Sequence, residues 1–236
     1  MKRFLFAVLA SVAVIVGYAA PASAVLIYTF DNSNSFGTGP FGTVTLTQLS
    51  PGVVDVKVSL TPPGGEGFVV TGAGDALLFN LDNIGNPSIS GNITIVTPGF
   101  SLDTSGSPLI HADGSGNWEY GVRCDTGTPG CGSGGNTPNP GPLVFDLNIS
   151  GLLETSFIKT TDSNNNFFAS DICVSLSSTA CLVGSNTGDV CTSTSATFIP
   201  PQSTPEPGSL LLLAAGLLGL GGMRWKGGLR SLRKSA

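Results

Sequence analysis

The chain has 236 residues, with 10 lysines and arginines against 15 aspartates and glutamates, one histidine and five cysteines. Its length suits one domain with a sizeable core flanked by short segments. Between residues 25 and 203 there are fourteen acidic residues and only Lys57, Arg123 and Lys159 as basic ones, a net charge of −11; this argues against nucleic acid as a partner, because phosphate contacts need clustered lysine and arginine.

The chain opens with a basic pair, Lys2 and Arg3, followed by the apolar run from Phe4 to Val16, too short to span a bilayer. Ala22-Ser23-Ala24 is a small-residue cleavage signature. Residues 1–24 therefore read as a secretory signal peptide, cut after Ala24 so that Val25 begins the mature chain. That reading makes the Sec translocon and signal peptidase partners of the precursor.

Residues 25–191 read as an all-β ectodomain. From Val53 to Leu60, Val54, Val56, Val58 and Leu60 alternate with Asp55, Lys57 and Ser59. Leu143, Phe145, Leu147 and Ile149 alternate in the same way, and Val44 and Leu46 face away from a threonine row between Thr43 and Leu49. A period of two is that of a half-buried strand. Further strands are expected at Val25 to Phe30, Ala76 to Leu81, Ile93 to Val96, Trp118 to Val122, Phe167 to Leu176 and Ala196 to Ile199. Gly, Pro, Asn, Ser and Asp fill the gaps, so an antiparallel β-sandwich or jelly roll is expected. Pro62 to Gly67 reads as a turn, and Asp125 to Pro142 as a long loop too poor in apolar residues to support a core.

The cysteines Cys124, Cys131, Cys173, Cys181 and Cys191 all fall in this domain. An exported chain meets an oxidising compartment, so disulfides are expected. Cys124 and Cys131 flank a Gly/Pro loop that they can close; two of Cys173, Cys181 and Cys191 can form a second bridge and leave one thiol. No Cys-x-x-Cys pair is present for zinc or thiol redox chemistry.

Catalytic constellations are thin. His111 is the only histidine, and no nucleophile elbow, His-Glu-x-x-His or phosphate-binding loop occurs. Asp103, Asp113 and Glu119 are possible carboxylates for glycoside hydrolysis, or solvated loop acids. Asp113, Ser115, Asn117 and Glu119 place oxygen side chains at every second position, as a calcium loop does, and 162–166 repeats the idea; both lack the acidic twelfth position of an EF-hand, and an Asx/Gly turn between strands is the preferred reading. Calcium is the one cofactor considered, and no other cofactor or metal is expected. Trp118 and Tyr120 can stack on sugar rings or fill a core.

Residues 192–204 drift into Ser/Thr/Pro composition and read as a spacer. Then come Pro205-Glu206-Pro207, an apolar stretch, and a tail with Arg224, Lys226, Arg230, Arg233 and Lys234. About 207–225 can serve as a short transmembrane segment if long basic side chains snorkel at its end. The basic tail at 224–236 would stay cytoplasmic and hold the domain outside.

The sequence from Pro205 to Lys234 resembles the PEP-CTERM sorting signal of Gram-negative bacteria. Pro205, Glu206 and Pro207 match its motif, Leu210 to Leu220 its short Leu/Gly/Ala helix and Arg224 to Lys234 its basic stop; the resemblance spans 205–236. It implies processing by an exosortase near the motif, transient anchoring in the inner membrane with a periplasmic domain, and delivery to the cell surface or extracellular matrix of a polysaccharide-producing host. The stretches Thr71 to Leu81 and Asn164 to Asp171 resemble segments of other PEP-CTERM proteins, which implies a shared β-sandwich ectodomain. The function expected is that of a non-catalytic surface or matrix protein, structural or polysaccharide-associated; the alternative is an exported hydrolase acting on matrix polysaccharide.

Overall fold

The computed structural model describes residues 24–200, apart from 34, 62–66, 71–74, 85–87, 105–108, 113–114, 128, 133–136, 161–164, 175–186 and 194–195. They fall within one compact unit, Ser23–Pro200. Residues 1–23 of the segment read as signal peptide, residues 194–195 and 201–204 of the segment read as spacer, and the whole sorting signal lie outside the described residues.

The domain is all-β. Its strands are β1 (Val25–Ser33), β2 (Gly37–Ser50), β3 (Val53–Leu60), β4 (Gly67–Phe68), β5 (Leu77–Phe79), β6 (Ile93–Ile95), β7 (Phe100–Leu102), β8 (Ile110–Ala112), β9 (Gly116–Trp118), β10 (Tyr120–Cys124), β11 (Leu143–Asn148), β12 (Phe168–Cys173), β13 (Thr187–Cys191) and β14 (Thr197–Ile199). Every described pairing between strands is antiparallel.

The expected sandwich takes the form of one curled sheet. The path runs β6-β11-β3-β2-β1-β13-β12-β5-β10-β7, with β14 added to β1 and β4 to β12. Its two ends, β6 and β7, are consecutive in sequence, so the short connection between them nearly closes the sheet. Val96 N–H donates to Val144 O on one side of that connection, and Asp125 N–H donates to Gly99 O on the other. The small β8–β9 hairpin stands apart from this path.

The core forms where the alternation aims it. Val54, Val56 and Val58 of β3 and Leu143, Phe145 and Leu147 of β11 are fully buried, while Asp55 and Lys57 face outward. Phe79 of β5 bridges the two halves of the curl, its ring 6.1 Å from Phe145, 5.4 Å from Tyr120 and 5.7 Å from Phe157. Phe157 sits on a 3-10 helical turn, Glu154–Ile158, that packs inside next to β1 and β2.

The sheet extends beyond the sequence boundary at 191. Thr197–Ile199, inside the segment 192–204 read as spacer, pairs with the start of β1, with Ile199 opposite Val25 and Phe198 opposite Leu26. The strand expected at Ala196 to Ile199 is thus present and belongs to the sheet rather than to a spacer; it is three residues long and exposed at every position. The loop 125–142 also does more than expected. Cys131 is buried in the core, and Asn139 exchanges both backbone hydrogen bonds with Phe68.

Candidate functional site

Three polar clusters carry the chemistry of the described residues. The first centres on Asp75, just before β5. Asp75 is 4% exposed, and its Oδ2 has no hydrogen-bond partner. Burial first, then the neighbouring carboxylate of Asp103 and a side-chain hydrogen bond with it, push the Asp75 carboxyl up to about 8; Arg123 opposes this and Asp171 adds to it. Two carboxyls share a hydrogen bond only if one keeps its proton. The backbone builds the cradle: Asp103 N–H donates to Gly121 O at 2.9 Å, and Asp171 N–H donates to Asp75 O at 2.8 Å. Gly121 is required here, since a Cβ on it would lie 2.1 Å from Asp75 Oδ2.

The second cluster joins the β8–β9 hairpin to the sheet. The Ser115 hydroxyl donates to Asp189 Oδ2 at 3.0 Å and accepts from Trp118 Nε1 at 3.3 Å. The Ser33 hydroxyl donates to the Asp189 backbone carbonyl at 3.0 Å. Trp118 is fully buried with Leu78, Ile110 and Cys191, and Tyr120 is buried against Phe79. Both aromatics are therefore core, and neither presents a face to a sugar. The third cluster holds Glu119, which pairs with Lys159 and accepts from Leu81 N–H, while Asn80 Oδ1 takes the Glu119 N–H at 2.8 Å.

These partners scatter the calcium candidates. Ser115 points to Asp189, Asn117 Oδ1 meets His111 Nδ1 at 2.9 Å, and Glu119 turns to Lys159. Asp113 lies outside the described residues. Strand alternation put these side chains in one register, but the break at Glu119 between β9 and β10 sends them to different neighbours. Among the described residues no group of three or more His, Cys, Asp or Glu side chains is placed to hold a metal ion. Asp75 was not among the candidates read from the sequence; the signal available was an acid between glycine-rich and apolar residues, Gly74-Asp75-Ala76-Leu77.

Cys124 and Cys131 form a disulfide, with Cα atoms 5.7 Å apart. Cys173 is disulfide-bonded as well, and Cys191 is a free, buried thiol whose pKa burial and then Asp189 and Asp31 push up to about 12. A thiol so shifted is inert at neutral pH. Cys181 lies outside the described residues.

Ala24 and Val25, the residues read as the signal-cleavage junction, lie at the start of the sheet. Ala24 O accepts from Gln48 N–H at 3.2 Å, and Val25 opens β1. Ala22, Pro205, Glu206, Pro207 and the basic residues Arg224, Lys226, Arg230, Arg233 and Lys234 lie outside the described residues, as does the segment 207–225 read as transmembrane. Residues 203–224 match the PEP-CTERM protein-sorting motif. That segment, which holds Pro205, Glu206, Pro207 and Arg224, points to an exported, exosortase-targeted chain with membrane-associated sorting in Gram-negative bacteria. No curated protein and no solved structure matches the chain.

Proposed function

We propose that this PEP-CTERM protein is a non-catalytic exported protein, cut by signal peptidase and exosortase, and delivered to the cell surface or matrix in a structural or polysaccharide-associated role. The observation that carries the reading is the sorting motif at 203–224 behind an acidic β domain that opens directly after a signal-peptide-like segment. The partners of the titratable groups support the non-catalytic half. Glu119 is tied to Lys159, Asp189 to Ser115, and His111 to Asn117 on an exposed hairpin. A Ser/Thr/Asn/Gly surface offers hydroxyls and amides to a glycan.

One observation favours the alternative, a matrix hydrolase. A carboxyl that keeps its proton to about pH 8, as Asp75 does, has the property a general acid needs. Its burial and its close approach to Gly121, where a Cβ would lie 2.1 Å from Oδ2, speak for a structural group instead.

The test uses the native host or an exosortase-bearing one. Wild-type protein should reach the medium or matrix, and the variant with Pro205, Glu206 and Pro207 all changed to alanine should stay in the membrane fraction. Released protein is then assayed on a glycan array and, in parallel, for glycan hydrolysis. Binding without turnover is the expected result. Turnover that disappears in Asp75→Asn overturns the non-catalytic reading.

A further inference from the structure

The sheet brings the two processing junctions of the chain together. Val25, the first residue after the signal-peptide cut, lies directly opposite Ile199 in the β1–β14 ladder. The sorting motif begins at residue 203, so only residues 200–202 separate it from the sheet. Three extended residues reach roughly 10 Å. Both chain ends that lead to membrane-directed segments therefore leave the domain from one end.

That end has a distinct surface. Gln48 ties it together: its N–H donates to Ala24 O, its side-chain amide donates to Ser50 O at 2.7 Å, and its Oε1 accepts from Glu154 N–H at 3.0 Å. Leu49 and Leu153 flank these contacts, and both are 49% exposed; Phe198 and Ile199 are 53% and 39% exposed. Four of the seven exposed large hydrophobic residues of the described structure thus gather here. The segments that form this end, 47–52, 148–153 and 196–200 with Ala24 and Val25, contain no charged side chain, although the domain carries a net charge of −11 between 25 and 203; the one charge there is the α-ammonium group that a cut before Val25 frees. The first charges above it are the cross-strand pair Asp55 and Asp146 on the outer face, and the buried Glu154.

We propose that this apolar end, free of carboxylates and built from Leu49, Leu153, Phe198 and Ile199, is a docking surface for the lipid bilayer, which seats the domain on the membrane while its tail is still attached. Exposed large apolar side chains partition into the interfacial zone, and a face without carboxylates on an otherwise acidic body is the one that approaches a membrane without desolvating or repelling acidic groups. The short reach from Ile199 to the motif holds the domain within range, so docking is intramolecular and weak contacts suffice. After cleavage the tether is gone, the effective concentration falls and the domain leaves. The proposal rests on the reading of residues 203–224 as a membrane-directed signal.

Tryptophan quenching tests it. The uncut chain is reconstituted in phosphatidylcholine vesicles with acyl-brominated lipid, alongside Phe198→Trp and Leu109→Trp. Leu109 precedes the β8–β9 hairpin, which packs on Cys191; Cys191 pairs with Asn32, seven residues along β1 from Val25 and so roughly 23 Å away. The expected result is strong quenching of the emission added by Phe198→Trp and little quenching of that added by Leu109→Trp. Equal quenching at the two sites overturns the proposal. So does an added emission in Phe198→Trp that ignores bromination and shifts with protein concentration, which assigns the surface to a second copy of the chain. Trp225 in the tail is the internal reference: if the parent chain neither floats with vesicles nor shows its own quenching, the sorting reading itself fails with the proposal.

Discussion

Gly121 and Asp75 show how one pair of residues can set the pH response of the domain. Asp75 keeps its proton in the folded state to about pH 8, against an ordinary value of 3.8. The folded state therefore binds more protons than the unfolded one between those values. The stability this carboxyl contributes is fully present below about pH 4, is lost as pH rises, and is gone above about pH 8. The slope is at most about 1.4 kcal/mol per pH unit. Asp55, raised by burial and by Asp146, acts in the same direction. Asp75→Asn, which mimics the protonated carboxyl, should flatten the pH 4–8 decline in urea-denaturation stability; an unchanged slope removes Asp75 from the account. Gly121→Ala places a methyl 2.1 Å from Asp75 Oδ2 and 2.8 Å from Ile110 Cδ1. Overpacking of this kind costs about 1–3 kcal/mol. The loss should shrink in the double variant Gly121→Ala, Asp75→Gly, because the clashing carboxyl is then absent.

Among the elements, β5 holds the curl together. Phe79 touches rings from β10, β11 and the 3-10 turn, so it joins both halves of the sheet. Phe79→Ala should cost about 3–5 kcal/mol in denaturant unfolding. Phe198→Ala on exposed β14 should change it by less than about 0.5 kcal/mol. A comparable loss at both positions would mean that the core is not shared across the curl. The elements also show what a sequence can carry. β3 and β11 were legible because a hydrophobic face alternates with a wetted one over six or more residues. β12 is buried at every position from Phe168 to Cys173, so no alternation marks its faces. β13, Thr-Gly-Asp-Val-Cys, has the composition of a turn, and β4, β7 and β8 have three residues or fewer, too few to show a period. That the halves form one continuous sheet depends on pairings such as β1 with β13, between residues far apart in the chain. The site was legible only at its ends, in the processing signals, because those are read as linear sequence. Asp75 was not, because its burial is decided by Gly121 and Asp103 across the fold.

At the scale of the whole molecule, charge reports processing. The full chain carries a formal charge of −5. Residues 1–24 hold Lys2, Arg3 and no acid, so signal-peptide removal alone takes it to −7. The segment 204–236 holds five basic residues and Glu206, so a product that ends at 203 carries −11. The basic residues of this chain are thus concentrated in the two parts that the proposed processing would remove. The domain left behind repels anionic lipid and other copies of itself, which favours a soluble, dispersed product. Isoelectric focusing of material from the membrane fraction and from the medium should show two species, the membrane form with the higher isoelectric point and the released form lower. Intact mass on each band assigns the cuts. Recovery from the medium of a species that retains Arg224 to Lys234 would break the link between tail removal and release. A membrane species already at the lower isoelectric point would show instead that the domain stays bound after its tail is gone, held by contacts other than the sorting segment.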